Sequence, residues 1–257
     1  MIQHIERSEA DTVRAAWSAS LCQNTMARFT NARETGMTAE QFNGIWSARE
    51  DISFGQNEGF WVGRNSVFNA CVTASAAARA ADAAMMNTKG PALQAVPGTG
   101  NMHRTNLMSP LVEVAGDCQT AKGMWYCPGV ITNMEADGKN HLQWNIVRIA
   151  ADFILEGGAW KIWHLFEGAD FRFEMGKGYE PASGIGPHKD AEVIVPDPAL
   201  ADLPRGKDFV PAYDVPCGIY SVARGWSAYP PTPMPYSTFE ETFTYGPEPF
   251  MSQGREG

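Results

Sequence analysis

The run "HLQWNIVRIAADFILE" is followed by Gly157-Gly158 and then by "AWKIWHLFEGADFRF". Two long β-type runs separated by two glycines predict an antiparallel hairpin, because a tight turn needs the positive φ angles that glycine adopts freely. Upstream, "MHRTNLMSPLVEVAGD" and "TAKGMWYCPGVITN" form a second pair around a tight Gly-Asp turn region. Sequential hairpins of this length imply an antiparallel sheet. The helical patterns come first and the long strands last, so the expected class is α+β rather than α/β.

The N-terminal half carries helix punctuation. Ser8 opens "SEAD", an N-cap with an acidic residue three positions on, and Gly36 stops that first helix. Val13, Trp17 and Leu21 recur at four-residue spacing and predict its apolar face. Thr38 opens "TAEQ", a capping box in which Gln41 reaches back to the cap, and Phe42, Ile45 and Trp46 supply the apolar face of a short second helix. "DISFG" and "GFWVG" predict a small hairpin, and Asn65 to about Asn87 an alanine-rich third helix. Composition shifts near Met175: 13 of the 17 prolines lie beyond it, and stretches such as "YPPTPMPY" cannot be helix or central strand. The expected organisation is therefore an α+β domain over 1–174 and an extended proline-rich tail over 175–257. Its aromatic residues need a surface, on the domain or on a neighbouring subunit.

At 44% hydrophobic and 19% charged residues, the 257-residue chain has the balance of a globular protein. A net charge of −9 argues against nucleic acid and against an anionic membrane surface. Cys22, Cys71, Cys118, Cys127 and Cys217 contain no C-x-x-C pair and read as reduced thiols of a cytoplasmic protein. The first residues lack the apolar core of a signal peptide, and the apolar-looking run around Arg79 and Asp82 is too charged to span a membrane. There is no P-loop or dinucleotide fingerprint, and His141, His164 and Glu167 lack metal-ligand spacing, so neither a metal nor an organic cofactor is expected.

The stretch from "NTMARFTNARETGMTAEQFNGIWSARE" through "FWVGRNSV", then "MSPLVEVAGDCQTAKGMWYCPG" and "RIAADFILEGGAWKIWHL", resembles SnoaL-like proteins of the nuclear transport factor 2-like superfamily. The resemblance covers roughly Ser8 to Phe173. It implies a cone: a curved antiparallel sheet wrapped around N-terminal helices, with an apolar interior. Members include ketosteroid isomerase, scytalone dehydratase, bile-acid dehydratase and polyketide cyclases, whose common habit is cofactor-free acid–base chemistry on ring-bearing substrates. The long tail, with "PYSTFEETFTYGP", is similar to that of the bacterial members that include lignin diarylpropane lyases.

The resemblance places His103 where dehydratase-like members carry their catalytic histidine. Neutral imidazole near pH 7 both takes and gives a proton, which predicts an activity limb near neutrality; the alternative is an inert, hydrogen-bonded histidine at a strand end. Asp51 falls where relatives carry an aspartate that orients the histidine or acts as base. Trp46 stands where they often have a tyrosine. By alternation, Lys122, Met124 and Tyr126 share one face of a strand and Trp125 and Cys127 the other. Lys122 on an inward face would be paired or used, and on the outer face solvated; Tyr126 could donate to an oxyanion. Arg104 is the other oxyanion partner, and alternation forbids it and His103 from both pointing inward without a bulge. Asn24 and Arg28 share a face of the first helix, with Asn24 expected in the cone. Trp46, Trp61, Trp125 and Trp144, with Asn24, are the candidate substrate-binding residues, since indole rings favour a flat aromatic ligand.

These expectations converge on a cofactor-independent lyase acting on a phenolic aromatic substrate. The most concrete form is loss of formaldehyde from a lignin-derived diarylpropane diol to give a stilbene. The alternatives are a dehydratase or isomerase of steroid- or polyketide-type substrates, and a non-catalytic ligand-binding module. The expected catalytic set is His103, Tyr126, Lys122, Arg104 and Asp51, in a homo-oligomer (dimer or trimer) engaged in aromatic compound catabolism.

Overall fold

The computed structural model describes residues 5–87, 102–134, 140–175, 209–211 and 229–251. Helix α1 (Glu9–Thr35) begins where Ser8 accepts a hydrogen bond from the Asp11 amide and ends at Gly36, whose φ of 96° suits only glycine. Helix α2 (Ala39–Ile45) carries the full capping box of Thr38 and Gln41. Strands β1 (Ser53–Gln56) and β2 (Gly59–Val62) form the small hairpin. The third helical region is composite: α3 (Arg64–Phe68), a π-helical turn (Asn69–Ala74) and α4 (Ser75–Asn87).

Six strands follow: β3 (His103–Thr105), β4 (Met108–Val114), β5 (Thr120–Met134), β6 (Asn140–Glu156), β7 (Ala159–Glu174) and β8 (Phe209–Pro211). They join β1 and β2 in one curved, open sheet of order β3-β5-β6-β7-β1-β2-β8, with β4 also on β5. The class is α+β, as the order of helical and strand patterns required. Two details differ from expectation. Strand β1 runs parallel to β7, so the sheet is mixed. The expected first long strand is two strands, because the pairing with β5 shifts between Met108 and Leu111, where Ser109 takes a φ of 49° and Pro110 has no N–H to donate. Two more register shifts interrupt β6–β7, at Ile146/Val147 and Asp152/Phe153. Such bulges increase local twist and bend the strands.

The inner face of the sheet packs on α1. Phe29, Met26, Cys22, Trp46, Phe42, Phe54, Trp125, Phe153 and Ile162 form its buried core. Gly123 makes room for Trp125: a Cβ there would lie 2.4 Å from the indole ring. The helix face that turns inward is not the expected stripe. Val13 and Trp17 are 66% and 67% exposed, whereas Ala15, Ser18, Cys22, Thr25, Met26 and Phe29 are buried. Small residues let the helix lie close to the sheet, and the Thr25 hydroxyl donates to the Leu21 and Trp160 carbonyls, each at 3.1 Å. An indole at that contact would hold the two elements apart.

On the outer face, residues 229–251 lie across β5, β6 and β7. A 3-10 turn (Phe239–Glu241) and a short helical turn, α5 (Glu248–Met251), are their only regular elements among the described residues. Tyr245, with Phe60, Met124, Ala150 and Phe166, forms a second buried cluster there. Most of the expected tail, 176–208 and 212–228, lies outside the described residues. Among the described residues, no helix is long and apolar enough to cross a membrane.

This packing predicts a sharp contrast. Phe29→Ala should cost about 3–5 kcal/mol in urea unfolding through the cavity it leaves. Trp17→Ser should change stability by no more than about 0.5 kcal/mol. A large loss from Trp17→Ser would contradict the orientation of α1.

Candidate functional site

Because side chains alternate along β5, its two faces carry different chemistry. Trp125 and Cys127 point inward, and Lys122, Met124 and Tyr126 point outward. His103 pairs with Ile131, which lies on the Cys127 face, so His103 is inward. The structure therefore separates His103 from Lys122 and Tyr126. The expectation that the two strands offer polar groups to one shared concave face is corrected: the pairing register puts His103 on the Cys127 face and Lys122 and Tyr126 on the other.

The outward set forms a line across three strands. Lys122 faces Asp152 on β6, and Asp152 faces His164 on β7. Lys122 Nζ donates to Asp152 Oδ1 at 2.5 Å, with both side chains fully buried. Asp152 Oδ2 also accepts from the Thr244 hydroxyl at 2.8 Å and the Tyr245 amide at 2.8 Å, and lies 3.0 Å from His164 Nδ1. The rings of Phe239, Phe243 and Tyr245 surround the ammonium at 4.5, 4.7 and 5.2 Å. Burial lowers the Lys122 pKa, and Asp152 only partly offsets this. Burial pushes the Asp152 carboxyl up, but Lys122 and His164 outweigh it and hold the group below its ordinary range. Thr244, Asp152 and His164 are not a nucleophilic triad, because hydroxyl and carboxylate both meet the same ring nitrogen, Nδ1. This cluster is sealed, and His164 Nε2 within it is buried with no hydrogen-bond partner among the described residues. Lys122 is thus neither solvated nor on the inner face.

The inner face carries the candidate site. Glu167 on β7 is 6% exposed and forms an ion pair with Arg33 of α1. Arg33 continues the inward stripe of Met26 and Phe29, and its guanidinium lies over the Phe54 ring at 5.4 Å. Arg172, facing Asn145 across β6–β7, donates from Nε to Asn145 Oδ1 at 3.2 Å. His103 lies within the field of all these charges. Its Nε2 is buried and has no hydrogen-bond partner among the described residues. Burial, reinforced by Arg33, pushes the His103 pKa down to about 4, against the opposing pull of Glu167 and Glu34. Burial pushes Glu167 up, but Arg33 and His103 outweigh it, so its carboxyl is held below the usual range. Burial raises the Cys71 and Cys127 thiols to about 12, so both stay protonated and serve as wall rather than nucleophile.

This arrangement is a half-buried neutral imidazole whose Nε2 is buried without a partner among the described residues, beside an ionised carboxylate and two guanidiniums. Next to it the inner face is aromatic. Such a site can accept a proton and stabilise either the imidazolium that forms or a neighbouring anion. Among the described residues, no three His, Cys, Asp or Glu side chains gather as metal ligands would.

The remaining candidates fall elsewhere. Asp51 is bound by Arg49 through two 2.8 Å hydrogen bonds and by the Trp163 indole at 3.0 Å. It lies beside the outer cluster, since Trp163 stacks on His164 and meets the Phe239 ring at a tilt, and it does not orient His103. Arg104 alternates away from His103 and reaches Glu34 at 2.6 Å, with 62% of its side chain exposed. Tyr126 is 42% exposed on the outer face. Trp144, which pairs with Val130, is also outward, 38% exposed and stacked on Phe173. Asn24 and Arg28 line an open groove of about 510 Å³ between α1 and α2, outside the inner face. Trp46, Trp61 and Trp125 do belong to the inner core. Trp61 stacks on Phe54 at 5.3 Å, and the Trp46 indole N–H is buried without a partner among the described residues.

Arg33, Glu167, Asn145 and Arg172 were not expected as site residues, although the sequence carried a signal for them. Glu167 and Arg172 are charged residues within a strand otherwise rich in core residues, and Arg33 extends the buried face of α1 by one turn.

No family model matches the chain, and no curated protein matches it. Several solved structures are similar to it in outline. One is the hexachlorocyclohexane dehydrochlorinase LinA-type3 of Novosphingobium barchaimii LL02, at 12% identity, covering 68% of this chain and 99% of that one, with a TM-score of 0.42. A nuclear transport factor 2-like superfamily protein from Salmonella enterica serovar Typhimurium LT2 shares 12% identity over 63% of this chain and 99% of that one, with a TM-score of 0.39. The Kfla4162 protein of Kribbella flavida shares 9% identity over 64% and 95%, with a TM-score of 0.45.

The half-buried His103 imidazole predicts a pH signature in stability. A histidine whose folded pKa is depressed from 6.5 to about 4 favours folding fully above pH 6.5. That contribution is lost as the pH falls towards 4, where the unfolded chain binds a proton that the folded one refuses. Urea titrations at pH 7, 6, 5 and 4.5 should show wild type losing more stability than His103→Gln, by up to about 1.4 kcal/mol per pH unit. Equal pH dependence in the two proteins would show that His103 titrates normally.

Proposed function

We propose that the chain is a lyase that works by proton transfer, without an organic cofactor, on a small aromatic substrate held against the inner face. The observation that carries this is the buried, unpartnered Nε2 of His103 beside the Arg33–Glu167 pair. A polar atom kept dry and unbonded in a folded protein costs stability, and a substrate proton would satisfy it. His103 is the base in this scheme. Glu167 stabilises the imidazolium, Arg172 and Arg33 face developing negative charge, and Trp46, Trp61 and Trp125 supply the apolar wall.

The specific reaction we propose is formaldehyde elimination from a phenolic diarylpropane diol. The benzylic hydroxyl leaves as water with the phenolic proton, giving a quinone methide. His103 Nε2 then takes the γ-hydroxyl proton as the Cβ–Cγ bond breaks. The oxygen electrons form the carbonyl of formaldehyde, and the carbon–carbon pair restores the aromatic ring. The ring oxygen regains the proton from the imidazolium. The sum is diol to stilbene, formaldehyde and water, with no net oxidation.

Incubation of the purified protein with a diarylpropane diol should give equal amounts of formaldehyde and stilbene. His103→Ala and His103→Gln should each lower the rate by about 10²–10⁴-fold, the usual contribution of a general acid–base. Because the imidazole is held neutral, the acid limb of the wild-type profile belongs near pH 4 rather than near neutrality. Turnover of a steroid or hydroxynaphthol in place of the diol would move the assignment to a dehydratase or isomerase. An undiminished rate in His103→Ala would remove His103 from the mechanism.

A further inference from the structure

We propose that residues 236–246 form a strap that undocks as a unit from the folded sheet, with the Asp152 carboxylate as its latch and the Lys122 amine as the group it covers. The backbone of this segment is poorly tied to the domain. Among the described residues, only two backbone-to-backbone bonds join it to the sheet, from the Gly116 amide to Tyr236 at 3.0 Å and from the Asp117 amide to Ser237 at 3.2 Å. Both lie at one end, on the β4–β5 turn. The other end is held by side chains. Asp152 accepts four bonds, two from the sheet residues Lys122 and His164 and two from the strap, the Thr244 hydroxyl and the Tyr245 amide.

A segment without ladder bonds opens at lower cost than the strands beneath it. This one closes over the fully buried Lys122–Asp152 ion pair. Docked, it seals Lys122 beneath aromatic rings. Lifted, it would present to solvent an amine, a carboxylate and an imidazole in line on three neighbouring strands, while β5–β7 and the inner face stay folded. The strap is therefore a gate on a second polar centre, on the side of the sheet away from His103.

Native-state hydrogen exchange, paired with lysine acetylation by dilute acetic anhydride, tests this on the full chain. The Tyr245 amide should exchange through an opening that leaves β6 amides protected, and Lys122 should acetylate in step with that opening. Thr244→Val removes one strap donor to Asp152 and should speed both events about tenfold, the weight of one hydrogen bond. The amides of β5–β7 should be unaffected. If in wild type the Tyr245 amide and Lys122 react only as fast as the slowest β6 amides, the strap opens only with the whole fold and the proposal fails. It also fails if Thr244→Val accelerates strap and sheet amides alike. Neither outcome bears on His103, whose test is turnover.

Discussion

One carboxylate, Asp152, organises the outer half of the molecule. A fully buried ammonium is tolerated only beside a compensating charge, and Asp152 Oδ1 supplies it at 2.5 Å. The same group spends its other oxygen on the covering segment, through Thr244 and the Tyr245 amide. The attachment of the 229–251 region and the burial of Lys122 are thus coupled: removing the carboxylate would strand a charge and free two donors at once. The aromatic rings around Lys122 soften the desolvation through cation–π contact, but they cannot replace the anion.

The inner half is built on a parallel logic with a different outcome. There too a carboxylate, Glu167, meets a cation from the element packed on the sheet, Arg33 of α1. The outer ion pair is fully buried, whereas Arg33 of the inner pair stays 26% exposed; each cluster leaves one imidazole Nε2 without a partner among the described residues, His164 outside and His103 inside. Strands β6 and β7 carry both sets, because alternation lets Asp152 and His164 face outward while Asn145, Glu167 and Arg172 face inward. The bulge at Ile146/Val147 resets the parity of β7, so that Arg172 as well as Glu167 turns inward although they are five positions apart.

Much of the scaffold was legible in the sequence because its signals are local. Ser8, Gly36, the Thr38–Gln41 box and Gly157-Gly158 each fix a backbone geometry within a few residues, and each sits where its chemistry requires. The inner face of α1 was not legible in that way. Val13 and Trp17 satisfied a helical period, but the distance between helix and sheet selected Ala15, Ser18 and Cys22 instead. The site was half legible. Alternation allowed only one of His103 and Arg104 to face inward, and placed Lys122 and Tyr126 on a face together. Which face they occupied depended on pairing register with β4 and β6, a non-local property. Asp51 was misplaced for a different reason: Arg49, two residues away, and the Trp163 indole bind it outside the inner face.

The charge balance of the inner face bears on what chemistry it favours. A base with a pKa near 7 would be half protonated at rest and would draw Glu167 towards it. At about 4, His103 is unprotonated at rest, and Glu167 stays committed to Arg33. Proton transfer to His103 then creates a cation beside an ionised carboxylate whose position is already fixed. The reorganisation cost of that step is small, because the stabilising charge is in place before the proton moves. The same depressed pKa makes the imidazolium a strong acid, ready to return the proton to a product oxygen. A site of this kind is matched to eliminations in which one proton is removed and promptly given back. It is poorly matched to chemistry that must store a proton between turnovers.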